Sequence, residues 1–384
     1  MSKHALSCGF SFVAIYGIVL MVVSLIAVTQ PVAASGTLNV KTFGAIGNGQ
    51  TDDSAAINSA LVQAKAQQAA LFFPHGDYLF AADLIDDSVV MFGDNNTGLH
   101  ATNGSKIVLT GNKAALTNFR ITSSGSLPAS LVYVTNATNF SVCHNRIEGP
   151  ANVDLQVRYS TNGNVLNNDL DKADNTNLYA IGSSNVCYDR NQIDGKAVIG
   201  LEFDLGGNQA NNTVIRNVFA GDNTQTILVL GLQNSSINHN ILKDSDGFGI
   251  GLFGTGFSVN NIVIDSNDIK GASEGIVFNG VENLTISNNI IKHSNLDAIQ
   301  DTGGGSGTLA ITNNTIINAG FAKAVPPPPV LAVILVSNSA YSSVTITNNR
   351  YLGGAHDLTY FIDSQFHTAT ITGNTTTAML PNLV

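Results

Sequence analysis

The chain has no tryptophan, and only 11% of its 384 residues are charged. The first absence removes the largest ring that could stack on a sugar. The second leaves little to pair across a compact charged surface. Seventeen Lys and Arg stand against 27 Asp and Glu, for a formal net charge of −10. Duplex nucleic acid is thereby excluded as a partner, because phosphate binding needs clustered cations. An anionic sugar would need a local basic patch. The three cysteines, Cys8, Cys143 and Cys187, are too few for a disulfide framework. With Cys8 in a leader, the other two allow at most one bridge. Proline is scarce, and four of the nine stand together at Pro326-Pro327-Pro328-Pro329, which reads as a stiff exposed loop. Beyond Val28 no apolar run is long enough to span a bilayer.

Glycine, asparagine, threonine, serine, isoleucine and valine make up much of the rest, a mixture suited to short strands and polar turns. Lys3 and His4 precede an apolar run from Gly9 to Val28 and the small residues Val32-Ala33-Ala34-Ser35. This is the layout of an export signal over residues 1–34, with cleavage after Ala34. An uncleaved anchor is the alternative. The expected location is secreted, extracellular or periplasmic, with no membrane contact once the signal is removed. Residues 35–384 then form a single domain, with 35–80 as an N-terminal cap and first coil and 140–375 as clear repeats.

The repeat consists of a β-branched or aromatic residue, two spacers and Asn. It ends at Asn145, Asn168, Asn191, Asn217, Asn240, Asn267, Asn289, Asn314, Asn349 and Asn374. Periods of 22 to 35 residues are those of a solenoid. Leucine does not dominate, which dismisses a leucine-rich repeat. Alternating runs such as Asn283-Leu284-Thr285-Ile286 replace any helical periodicity. Strands must therefore close each coil. The expected fold is all-β, a right-handed parallel β-helix of about ten or more coils. Stacked asparagines would satisfy the backbone groups of each turn. The early helical stretch begins at Asp52-Asp53-Ser54 and puts Ile57, Ala60 and Leu61 on one face, fit to plug the open end of the solenoid. Residues 80–130 fit the repeat poorly and leave the register of the first coils open.

The stretch Asn39-Val40-Lys41-Thr42-Phe43-Gly44-Ala45-Ile46-Gly47-Asn48-Gly49-Gln50-Thr51-Asp52-Asp53, with Ala56-Ile57 and Phe73-Pro74-His75-Gly76-Asp77-Tyr78, resembles the opening of the pectate-lyase-like β-helix superfamily. With the repeats behind it, the resemblance covers roughly residues 37–375. It implies a fold shared by polygalacturonases, pectate and alginate lyases, mannuronan epimerases, carrageenases and phage tailspikes, and does not choose among them. The paired aspartates and Gly-His-Gly of polygalacturonases are missing, Gly247-Phe248-Gly249 standing where the histidine is wanted. The Asp-Pro-His-Glu stretch of mannuronan epimerases is missing as well. Asp52 and Asp53 belong to the shared opening and read as helix caps.

Aligning coils on their asparagines puts Leu155, Leu178, Leu201, Ile227, Ile250 and Ile299 inside. The next position points out and gives the column Gln156, Tyr179, Glu202, Leu228, Gly251 and Gln300. Flanking columns carry Arg158, Ile181, Asp204, Leu230, Phe253 and Thr302 on one side, and Asp154, Asn177 and Gly200 on the other. Three coils thus gather Asp154, Gln156, Arg158, Asn177, Tyr179, Glu202 and Asp204 on one face beside an apolar patch, the convergence a sugar site needs.

Glu202 and Asp204 lie two residues apart on a strand, with Cα atoms about 6.6 Å apart. Inverting glycosidases hold their carboxyls ~6.5–9.5 Å apart, so Glu202 is the candidate general acid and Asp204 the candidate general base. The Glu-Phe-Asp segment also resembles the outward Glu-x-Asp of iota-carrageenases. Asp154, Gln156, Arg158, Asn177 and Tyr179 are the candidate substrate-binding residues. Arg158 either receives a sulfate or carboxylate or pairs with Asp154 or Asp204. Two acids on a solvent-facing strand also have a bland reading, solubility and protection from edge pairing.

A second stripe, His144, Asn167, Arg190, Arg216 and His239, offers either an anion-binding edge or solvated turns. Ca²⁺ at Asp244 with Asp246, or at Asp297 with Asp301, lacks a dense carboxylate set, so neither metal nor cofactor is expected. Asp301 falls at an inward position, so the alignment is open to slipping there.

The expected partner is a polysaccharide. Glycoside hydrolysis stands first. The alternatives are a lyase on a uronate-containing glycan, with parts of its machinery from Arg158 and Tyr179, and a non-catalytic glycan- or surface-binding protein. A tailspike is third, and hard to reconcile with an export signal.

Overall fold

The computed structural model describes residues 36–384, apart from 195–196, 206–208, 222, 255, 257, 321–331, 338–339, 354–359, 365–368, 378–381 and 384. The export-signal stretch and the proline run lie outside the described residues. The described strands form a parallel β-solenoid of about twelve turns. No helix among the described residues is long and apolar enough to cross a membrane.

Each coil contributes to three sheets. Strands of the first sheet, such as Thr213–Ile215 and Val259–Asp265, run up to the turn at the repeated asparagine. A short second-sheet strand follows at once, as in Val218–Ala220 and Asp268–Lys270. The third sheet comes after a further bend and includes Ile199–Phe203, Gln225–Val229 and Phe248–Phe253. Alternation makes one side of every strand apolar, and stacking turns that side into a continuous core. Leu155, Leu178, Leu201, Ile227, Ile250 and Ile299 are all fully buried. Each such residue contributes about 1.5–3 kcal/mol relative to exposure.

The turn between first and second sheets is closed by the asparagines. Asn168 donates through Nδ2 to Val142 O at 2.8 Å and to Asn191 Oδ1 at 3.0 Å. The same Asn191 oxygen accepts the Asn168 backbone N–H at 3.0 Å. This pattern repeats from Asn145 to Asn374, so the ten side chains form one hydrogen-bonded ladder. The residue before each asparagine adopts a left-handed conformation, as at His144, Asn167, Arg190, Arg216 and His239, with φ from 53° to 58°.

The first coils obey the same geometry without the same signature. Leu84 pairs with Ile107, and Ile107 with Val132, so residues 80–130 supply coils of the same solenoid, with a register shift between Leu109 and Gly111. Below Asn145 the ladder position belongs to Phe119, whose N–H donates to Asn145 Oδ1 at 3.1 Å. Its ring meets Phe73 edge-on, with centroids 5.2 Å apart. Aromatic packing closes the turn there, and this is why the asparagine pattern does not reach those coils.

The helix Ser54–Gln67 buries Ile57, Ala60, Leu61 and Ala64 against the first coil, as its periodicity predicts. The two aspartates before it divide their work differently from the expectation. Asp52 accepts the N–H of Ser54 at 3.0 Å. Asp53 makes no side-chain bond to the helix and instead takes the amides of Ile46 and Gly47, at 2.7 and 3.0 Å. It pins the preceding loop against Gly76, where an added Cβ would stand 2.6 Å from Gly47 O.

At Asp301 the alignment does not slip. The residue pairs with Phe278 and Val336 in the inward column and is fully buried, its Oδ1 accepting the N–H of Gly303 at 2.9 Å.

Candidate functional site

The third sheet fixes which side chains share its outer surface. Gln156 pairs with Tyr179, Tyr179 with Glu202, Glu202 with Leu228, and Leu228 with Gly251. Arg158 pairs with Ile181, and Asp204 follows Phe203 one coil further on. The columns inferred from the sequence are therefore the registers of the sheet. Phe203, between the two acids, is fully buried and turned into the core, which leaves Glu202 and Asp204 both pointing outward.

Glu202 is 9% exposed and accepts a hydrogen bond from Thr176 Oγ1 at 3.2 Å. Burial, and then the charge of Asp204, raise its pKa above the ordinary glutamate value despite that bond. The hydroxyl of Tyr179 donates to Asp204 Oδ2. Burial first, then this bond and the charges of Asp204 and Glu202, push the Tyr179 phenol far above its usual value. A glutamate shifted towards its neutral form thus stands beside Asp204, which Tyr179 ties in place.

Two expected members are not available to a substrate. Asp154 and Asn177 occupy outward positions by alternation, yet both are fully buried. Asn177 Nδ2 donates to Asp154 Oδ2 at 2.9 Å, while Asp154 Oδ1 and Asn177 Oδ1 have no partner among the described residues. Desolvation pushes the Asp154 carboxyl well above its usual range, reinforced by the charge of Asp171 and opposed by the bonds from Asn177 and from the backbone of Ala173. Their burial and their bond to each other are not contained in strand alternation.

Gln156 remains on the face and accepts Ser130 Oγ at 2.6 Å. Arg158 takes neither carboxylate expected for it: Asp154 is with Asn177, and Asp204 is with Tyr179. Its guanidinium lies over the Tyr159 ring, with Cζ 4.8 Å from the centroid. The hydroxyls of Tyr159 and Tyr133, acting as acceptors, raise its pKa. Tyr133, Tyr159 and Thr176 were missed in the sequence. Tyr133 pairs with Gln156 and so belongs to the same outward column, but it sits below the coils where the repeat is legible.

The apolar half of the face is closed over. The Phe248 ring covers Gly251, where a Cβ would come within 2.4 Å of Cε2. The second stripe consists of turn residues, and its two arginines converge on the buried Asp189, at 2.9 Å from Arg190 Nη2 and 2.5 Å from Arg216 Nη2. A hollow of about 660 Å³ lies on the first sheet, with Asn164, Thr213, Ser236, His239 and Asp265 in its lining, and does not include Glu202 or Asp204. Burial works against the charge of Asp265, but hydrogen bonds from Ser287, Asn288 and Ser266 outweigh it and hold the pKa low. Cys143 is free and approaches Thr117 Oγ1 at 3.1 Å, so Cys143 and Cys187 do not bridge each other. Among the described residues no three His, Cys, Asp or Glu gather closely enough to hold a metal ion. Asp297 Oδ1 accepts the N–H of Ala332 at 2.8 Å.

The family described as "Rhamnogalacturonase A/epimerase, pectate lyase-like" matches residues 37–250, more than half of the chain, and one described as "Right handed beta helix region" matches residues 206–325. No curated protein matches the chain. Among solved structures it is similar to the A-module of mannuronan C-5 epimerase AlgE4 from Azotobacter vinelandii, with a TM-score of 0.56 at 16% identity, covering 90% of this chain and 98% of that one. It is also similar to the surface adhesin PfbA of Streptococcus pneumoniae, with a TM-score of 0.53 at 14% identity over 91% and 93% of the two chains. The catalytic unit of the GH87 α-1,3-glucanase from Streptomyces thermodiastaticus HF3-3 gives a TM-score of 0.52 at 14% identity, over 90% of this chain and 69% of that one. At these identities the likeness is one of fold.

Proposed function

Because this chain belongs to the rhamnogalacturonase A/epimerase, pectate lyase-like family, we propose that it is an exported polysaccharide-active enzyme, a glycoside hydrolase with Glu202 as general acid and Asp204 as general base. One observation carries the reading. Two outward carboxyls stand two residues apart, and burial with the charge of Asp204 shifts Glu202 towards its protonated form while Tyr179 donates to Asp204. A glycosidic bond lying between them would receive a proton on its leaving oxygen from Glu202. Water held by Asp204 would attack the anomeric carbon from the opposite face and lose its proton to that carboxylate.

A lyase needs a base that is unprotonated near neutral pH, and Tyr179 is pushed the wrong way for that role. Folds of this kind host a glucanase, an epimerase and an adhesin, so the choice rests on the site and not on the architecture.

The test is a screen of the protein from residue 35 against neutral and acidic polysaccharides, following reducing ends and absorbance near 235 nm together. Reducing ends without absorbance, lost by about 10²-fold or more in Glu202→Gln, are expected. Absorbance would mean a lyase. Silence across the panel would mean a glycan-binding protein.

A further inference from the structure

Tyr159 has an unusual backbone. Its φ is 47°, in the left-handed region that bulky side chains avoid, and the residue is 47% exposed. The register puts it level with Asn136 in the coil below and Gly182 in the coil above, whose φ values are 47° and 59°. The turn calls for asparagine or glycine, and its neighbours have them. A tyrosine there is held in a costly conformation while about half of it stays exposed. Strain of this kind is retained where the side chain is needed in place.

Its neighbour Arg158 is equally unaccounted for. Among the described residues the guanidinium pairs with no carboxylate and Nε is buried without a partner, and the head group lies over the Tyr159 ring beside the hydroxyls of Tyr159 and Tyr133. A cation stacked on one aromatic and steered by a second hydroxyl is pre-oriented, and a guanidinium so held is suited to receive a planar anion. Arg158 lies two coils below Asp204 in the same column, about 10 Å along the axis.

We infer that Arg158 and Tyr159, with Tyr133, form a subsite for the anionic group of an acidic sugar, at a residue of the glycan chain other than the one whose bond Glu202 and Asp204 attack. The glycan then runs along the solenoid axis, its sugar face on Tyr159 and its carboxylate or sulfate on Arg158. This deepens the hydrolase reading in its substrate class and uses the same face.

The experiment reads binding in the Glu202→Gln background, so that no substrate is consumed. The probes are polygalacturonate and carrageenan, each against a neutral counterpart, fully methyl-esterified polygalacturonate and agarose. The parent is expected to bind at least one anionic probe at least tenfold more tightly than its counterpart, and which one distinguishes carboxylate from sulfate. Arg158→Gln and Tyr159→Asn should each lose that preference. Tyr159→Asn should at the same time raise Tm, because asparagine suits the turn; a merely structural tyrosine would move Tm and leave binding alone. Equal binding of charged and neutral probes, no binding of either anion, or an unchanged preference in both variants would overturn the subsite. A parent that binds by this rule while the wild-type protein releases no reducing ends would sink the hydrolase reading and leave the subsite standing.

Discussion

At the scale of single residues, two buried carboxyls have opposite meanings. Glu202 has its pKa raised by burial and by Asp204, so folding favours its neutral form. Its contribution to stability is complete below the ordinary glutamate pKa and is lost as pH rises through the raised value. As a general acid it must be protonated, so the alkaline limb of activity should fall above the usual carboxylate range. Replacing Asp204 with Asn removes the second cause, and the Glu202 titration, followed by carbon NMR of labelled glutamate, should move down towards the ordinary value. An unmoved titration would mean that the two carboxyls are not coupled.

Asp154 is raised in the same sense but serves no face. Asparagine should replace its neutral form at little cost, since one oxygen can still accept from Asn177. Asp154→Asn is expected to be more stable than wild type by about 1–3 kcal/mol at pH 8 and indistinguishable near pH 4. Thermal melts at the two pH values check this. The role first assigned to Asp154 failed because alternation tells which way a side chain points and not what lies above it. Glu202 and Asp204 stand outward where the alignment put them, because that placement depends on strand register alone.

At the scale of elements, the asparagine ladder carries the turn. Asn217 accepts from Asn191 N and Nδ2 at 2.8 and 2.9 Å, and donates to Tyr188 O at 2.9 Å and Asn240 Oδ1 at 3.0 Å. Asn217→Ala strands several of these buried groups and should cost about 2–4 kcal/mol, read by denaturant unfolding. Loss within experimental error would mean that water replaces the side chain. The cap behaves differently. Leu61→Ala opens a cavity under the helix, with an expected cost of about 2–4 kcal/mol, and should show first as proteolytic cutting between the helix and the first coil. The helix was legible because capping and periodicity are local. The first coils were not, because Phe119 with Phe73 replaces the asparagine that marks a coil elsewhere.

At the scale of the whole molecule, each coil touches only its neighbours, so damage should spread by adjacency. In hydrogen exchange, Asn217→Ala is expected to deprotect the coils around residues 190 to 240 and leave the ends unchanged. Asn349→Ala should open the C-terminal coils alone. Uniform loss of protection in either variant would mean that the solenoid unfolds as one unit. The sequence by itself determined the coil length, the ladder and the inward and outward columns, because each follows from local chemistry repeated at a fixed period. Only the tertiary structure decided which outward residues are covered, which carboxylates are already engaged, that Arg158 is left to Tyr159, and how the first coils close. Those outcomes depend on segments from neighbouring coils and on single side chains that interrupt the repeat, and a period carries no information about its own exceptions.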